Sequence, residues 1–214
     1  MPLIEIKEVG KQGKLGLWSI SESAADLLKL KKFTEEDLTG LNSFSQEQRK
    51  KEWLAARILA ERLTGEKKTS ILYDANNKPF ISGSKRHISI SHSHGLLAVI
   101  LDASETGIDI ELVSAKIEKI KHKFMSEDEL NALSTEQHQE QLTVYWCAKE
   151  ALYKLYGKKE LEFKRDTMIE PFQYSAKGII RGWIKNSLMN KRFSLKYEKI
   201  NHDGDQYMLV YVTQ

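Results

Sequence analysis

The stretch Thr106–Glu111, TGIDIE, alternates apolar and acidic side chains in the period of a β-strand. On a strand, Ile108 and Ile110 share one face while Asp109 and Glu111 share the other. The isoleucines can anchor the strand in a core. The two carboxylates then stand side by side, where like charges repel unless a cation joins them. Two hard oxygen ligands beside open water positions suit Mg²⁺ carrying a phosphate-bearing substrate. Taken alone, the same six residues also describe a solvent-facing strand with two acids.

Upstream of this strand the pattern predicts strands at Leu3 to Glu8 and Leu15 to Ile20, with a turn across residues 10–13 between them. A helix is expected from about Glu22 to Leu30. A second helix should open on a capping box of Ser45 and Gln48, carry Trp53, Leu54, Ile58, Leu59 and Leu63 at helical spacing, and stop at Gly65. Ile71 to Tyr73 reads as a short strand, followed by the turn Asp74 to Asn77 and then Lys78-Pro79-Phe80. From His87 the period is two, with Ile88 and Ile90 on one side and His87, Ser89 and Ser91 on the other. Leu96 to Leu101 follows Gly95 as another strand.

Downstream, the lysine-rich stretch Lys116 to Lys123 is expected to be helical, and Ser126 with Glu129 forms a second capping box. A long helix is expected from about Glu136 to Tyr156, ending at Gly157. Beyond Leu161 the chain reads as several strands, with turns near Gly178, Asn186 to Asn190, and Asp203-Gly204. Strands and helices therefore occur in two successive sets. The expected fold class is α+β, with two similar halves, residues 1–104 and 105–214, each a small antiparallel sheet packed with helices. No Pro/Gly/Ser linker marks the boundary.

Two further segments carry chemistry. In Trp146–Lys154, WCAKEALYK, helical spacing puts Trp146, Glu150 and Lys154 on one face, with Tyr153 beside them. An ordinary i,i+4 Glu–Lys pair with a core tryptophan would show the same spacing. In His87–Gly95, HISISHSHG, hydroxyls, an imidazole and backbone N–H groups meet where a strand enters a turn, an arrangement able to bind phosphate. A zinc site lacks sufficient ligands, and no strand-to-helix elbow supports a serine nucleophile. Arg49, Arg57 and Lys78 have no acidic partner evident from the sequence.

Bulk composition sets the class. The 214 residues are 41% hydrophobic and 29% charged, the balance of a globular chain. The longest apolar runs are short, such as Leu96 to Leu101, so no membrane span is expected. The single cysteine, Cys147, forbids an internal disulfide, and the first residues lack the apolar core of a secretory leader. A cytoplasmic location is expected. The net charge of +3 would help encounter with an acidic partner or phosphate-rich ligand, but by itself describes a solvated surface with spare lysines, and it is too small to indicate nucleic acid.

Together the segments resemble the 4′-phosphopantetheinyl transferase superfamily in its longer, surfactin-synthetase-activating form. Lys78-Pro79-Phe80 with Ile90-Ser91-His92-Ser93 looks like its first motif, Gly107 to Glu111 its second, and Trp146 to Lys154 its third. Asn77 stands where the family usually has glycine. The resemblance covers about residues 45–157. It implies a pseudo-twofold fold with coenzyme A between the halves, and a monomer. It further implies that Asp109, Glu111 and Glu150 hold Mg²⁺, with Glu150 and Lys154 serving the chemistry. Arg49, Arg57, Ser91 and His92 would bind phosphates, Lys78 would lie beside the adenine end, and Glu129 would lie near the substrate. The implied activity is holo-[acyl-carrier-protein] synthase: transfer of 4′-phosphopantetheine from coenzyme A to a serine of an acyl or peptidyl carrier protein, releasing 3′,5′-ADP. Two other readings use the same residues: a non-catalytic protein that binds coenzyme A or carrier protein, and a metal-dependent phosphohydrolase.

Overall fold

A computed structural model describes residues 2–10 and 12–214. Met1, the first residue of the expected N-terminal half, and Lys11, within the turn expected at 10–13, lie outside the described residues. The chain is α+β. It divides into two units, Met1–Glu105 and Thr106–Gln214, and each is an antiparallel sheet packed with helices.

Among the described residues, the first unit contains β1 (Leu3–Val9), β2 (Gly13–Ser19), α1 (Ala24–Leu27), α2 (Glu35–Asn42), α3 (Glu47–Thr64), β3 (Ile71–Tyr73), β4 (Pro79–Ile81), β5 (His87–Ser93) and β6 (Leu96–Asp102). The sheet order is β1-β2-β6-β5-β4-β3. Leu54, Ile58, Leu59 and Leu63 recur every three or four residues along α3, so they form one apolar stripe. That stripe is buried in a core with Trp18, Leu97, Val99 and Leu101. The stripe stops where Gly65 takes a left-handed φ of 72°.

Local chemistry explains where this half departs from expectation. The helix expected over 22–30 is the single turn α1, capped by Ser23. Leu27 and Leu30 have the i,i+3 spacing of one helical face, but only Leu27 is buried, while Leu28 and Leu30 stay exposed and leave no apolar stripe to extend the turn. The box expected of Ser45 and Gln48 does not form. α3 begins at Glu47 without a side-chain cap among the described residues, and the Gln48 amide donates to Glu52 instead (3.2 Å). The box of this region belongs to α2, where Thr34 and Asp37 satisfy each other's backbone N–H groups.

The second unit holds β7 (Thr106–Leu112), a 3₁₀ turn (Ile117–Ile120), α4 (Lys121–Phe124), α5 (Glu127–Asn131), α6 (His138–Tyr156), α7 (Phe163–Asp166), β8 (Thr167–Ile169), β9 (Lys177–Lys185), β10 (Asn190–His202) and β11 (Asp205–Thr213). The sheet order is β7-β11-β10-β9-β8, which makes β7 an edge strand of this sheet. α6 supplies Leu142, Tyr145, Ala148, Leu152 and Leu155 to a core shared with Ile180, Leu195, Met208 and Val210. The Ser126–Glu129 box forms at α5, and α6 ends on left-handed Gly157. The turn expected near Gly178 is the connection from β8 to β9, which bends at Ala176. Gly178 pairs with Tyr197 inside the β9–β10 ladder, and its missing side chain leaves room for the Tyr197 ring.

Candidate active site

Register decides which way the β7 acids point. Asp109 lies opposite Val210, and Glu111 opposite Met208. Val210 and Met208 belong to the core built on α6, so both carboxylates leave β7 on its helix-facing side. Ile108 and Ile110 are buried on the other side. On α6, Glu150 and Lys154 are one turn apart on the same face. The Lys154 ammonium donates to Asp109 Oδ1 across 2.7 Å. Trp146, a turn before Glu150, is half-buried against the rings of Phe124 and Phe163.

Electrostatics tie these groups into one neighbourhood. Burial pushes the Glu150 carboxyl up to about 7. The Asp109 charge adds to the rise, Lys154 opposes it, and Glu111 contributes a smaller push upward. Cys147 is buried one turn before Ala151, with its Sγ 3.6 Å from the Met208 carbonyl oxygen. Burial, followed by the charges of Asp109 and Glu111, holds that thiol well above its ordinary range.

No three His, Cys, Asp or Glu side chains among the described residues stand as a ready-made metal cage. Asp109, Glu111 and Glu150, the residues expected to hold the ion, share one electrostatic neighbourhood, with Lys154 paired to Asp109 at its edge. The donor set nevertheless fits a hard divalent cation. It is all carboxylate oxygen, and burial together with the neighbouring Asp109 charge raises Glu150, a condition that an added cation relieves.

Beside Glu150, the buried Lys149 donates to Glu129 Oε2 (2.8 Å), Thr167 O (3.0 Å) and Phe163 O (3.3 Å). Glu129 also accepts from the backbone N–H groups of Ser126 and Ile169, both at 2.8 Å. With 1% exposure, Glu129 is an interior strut of α5 and not a group facing a substrate.

In the first unit, Arg49 NH1 lies 2.9 Å from His92 Nε2 and 3.0 Å from Glu52 Oε2. Ser91 is buried on the same strand as His92. Lys78 is held by Glu105, whose other oxygen lies 3.5 Å from His87 Nδ1. Arg57 overturns its expected role as a phosphate ligand. It is 1% exposed; its Nε donates to Asp37 Oδ1, its NH2 to Ile71 O (3.0 Å), and its guanidinium lies 3.3 Å from the Trp53 ring centroid. With its NH1 donating to Trp53 O (3.3 Å), the guanidinium joins α3 to α2 and β3.

Sequence reasoning missed Glu52, Glu105, Asp37 and Lys149. Glu52 carried a signal, three residues after Arg49 on a helix. Glu105 and Asp37 lie 27 and 20 residues from the cations they hold, so no local pattern exposes them.

Residues 105–210, which include β7, α6 and the acids they carry, match the model of the 4′-phosphopantetheinyl transferase superfamily. The chain carries a domain of that superfamily. Comparison with curated proteins gave no match. Proteins of that superfamily are transferases that act on coenzyme A and carrier proteins and generally use a divalent metal. No helix among the described residues is long and apolar enough to cross a membrane.

Proposed function

We propose that the chain transfers 4′-phosphopantetheine from coenzyme A to a serine hydroxyl of an apo carrier protein. The observation that carries this reading is the shared neighbourhood of Asp109, Glu150 and Lys154 inside the superfamily domain. Asp109, Glu111 and Glu150 are the residues that would hold Mg²⁺. Bound there, the ion supplies charge neutralisation at the pyrophosphate and a template for in-line displacement.

The chain's own residues do the rest. The serine oxygen forms a bond to the β-phosphorus of coenzyme A, the pyrophosphate P–O bond breaks, and 3′,5′-ADP leaves with the electron pair. Glu150, at about 7, is poised to take the serine proton directly or through a water. Lys154 leaves Asp109 to offset the charge that builds on the leaving oxygen. Arg49, Ser91 and His92 offer the donors a phosphate takes, and Lys78 a cation for the adenine end of coenzyme A.

The test incubates the chain with apo-carrier proteins, coenzyme A and Mg²⁺, and reads the carrier's mass. A gain of one phosphopantetheine on the carrier, lost in Glu150→Gln, is expected. No gain on any fatty-acid, polyketide or peptide-synthetase carrier sinks the reading in favour of a non-catalytic binding protein. Release of 3′,5′-ADP without a carrier would point to a phosphohydrolase.

A further inference from the structure

Glu150 sits between two α6 residues that are tied down independently. On one side is Lys149, wholly buried, with three acceptors on separate segments: the Glu129 carboxylate of α5, the Phe163 carbonyl of α7 and the Thr167 carbonyl of β8. Burying an ammonium is costly, and an apolar side chain of similar volume is often as stable or more so. What three directed acceptors add is a single geometry. They fix how α6 is rotated about its own axis.

On the other side is Ala151, whose backbone lies against Gly107 of β7. A Cβ at position 107 would overlap the Ala151 carbonyl oxygen and stand 2.9 Å from both the Ala151 carbonyl carbon and the Leu155 nitrogen. All three are main-chain atoms, so no side-chain rotation makes room. Gly107 thus fixes how close α6 comes to β7. Rotation and distance together decide where Glu150 and Lys154 stand relative to Asp109, two residues along β7 from Gly107.

We propose, on the transferase reading of this site, that Gly107 and Lys149 are positioning residues that clamp α6 from both sides and hold Glu150 and Lys154 at the β7 carboxylates. Lys149 spends its ammonium on three buried acceptors and Gly107 has no side chain, so both act through the placement of α6. Any residue larger than glycine at 107 would drive α6 back by on the order of 1 Å, enough to misplace groups that must act within hydrogen-bond reach.

The test uses the full chain and two variants. Gly107→Ala opens the gap. The double variant Glu129→Gln/Lys149→Met removes the rotational tie without leaving either charge stranded, so it should fold even where Gly107→Ala does not. Gly182→Ala is the control. It crowds the same core through flexible tips only, Ile169 Cδ1 at 2.8 Å and Leu152 and Leu195 Cδ1 at 3.1 Å. Folding is checked by circular dichroism, and Mn²⁺ affinity is read by electron paramagnetic resonance without coenzyme A or carrier.

Gly107→Ala and the double variant are expected to bind Mn²⁺ roughly 10–100-fold more weakly. Their kcat should fall about 100-fold with the carrier KM unchanged, whereas Gly182→Ala should match wild type in both. Folded variants whose Mn²⁺ affinity and kcat equal those of a wild type that does bind Mn²⁺ would overturn the clamp alone. A wild-type chain that binds no Mn²⁺ and modifies no carrier would overturn the transferase reading and the clamp with it.

Discussion

Replacing Arg57 with methionine should unfold the first unit far more readily while leaving ligand affinity of the folded molecule intact. The side chain removed is 1% exposed, and its partner Asp37 is 2% exposed. Stranding a carboxylate in that setting costs about 3–5 kcal/mol. Losing the guanidinium over the Trp53 ring adds roughly 1 kcal/mol, partly offset by the packing of the methionine thioether. A net loss of about 4 kcal/mol is a large share of the ~5–15 kcal/mol that stabilises an ordinary domain. It corresponds to a fall in Tm of roughly 8–16 °C. Urea denaturation followed by tryptophan fluorescence measures it, since Trp53 lies at the altered site. Adding Asp37→Asn should recover most of the loss, because the asparagine side chain keeps an acceptor for the Thr34 N–H and strands no charge. A loss below about 1 kcal/mol would refute the structural role. So would an unchanged stability with weakened coenzyme A binding, which would return Arg57 to the ligand.

Two further outcomes are expected. Glu150 binds its proton more tightly folded than unfolded, so its contribution to stability is complete below the usual 4.5 and is lost as pH rises through about 7. Mg²⁺ should therefore raise Tm more well above pH 7 than near pH 5; thermal scans with and without the ion read this, and equal shifts at both pH values would contradict it. Gly157→Ala forces a side chain into φ 69° at the end of α6 and should cost about 1 kcal/mol in chemical denaturation, with no change in metal affinity.

Features with a local period were readable in the sequence. The alternation of Thr106–Glu111 defined β7 and the facing of its acids, and the apolar spacing of Leu54 to Leu63 defined α3 and its stop. What escaped was set by contacts between distant residues. Arg57 has the same sequence signature whether it faces water or Asp37, because the Thr34–Asp37 turn that presents the carboxylate lies 20 residues away. Half of Glu129 was legible, its bond back to Ser126. The other half, the grip on Lys149, spans α5 to α6 and has no periodic trace. The turn near Gly178 was legible, but the place of Gly178 itself inside the β9–β10 ladder was not, because only the ring of the distant Tyr197 calls for a missing side chain there. At the site, the direct hold of Lys154 on Asp109 joins residues 45 apart, and no spacing rule reaches that far.

Cys147 has a practical consequence. The chain's sole thiol is sealed inside α6, and its raised pKa keeps it in the unreactive protonated form. Maleimide or iodoacetamide reagents should pass the native enzyme by. A single cysteine introduced on an exposed strand could then carry a fluorophore or spin label at one defined place, with no need to mutate the native one, and unwanted labelling of Cys147 would itself report that the helix had opened.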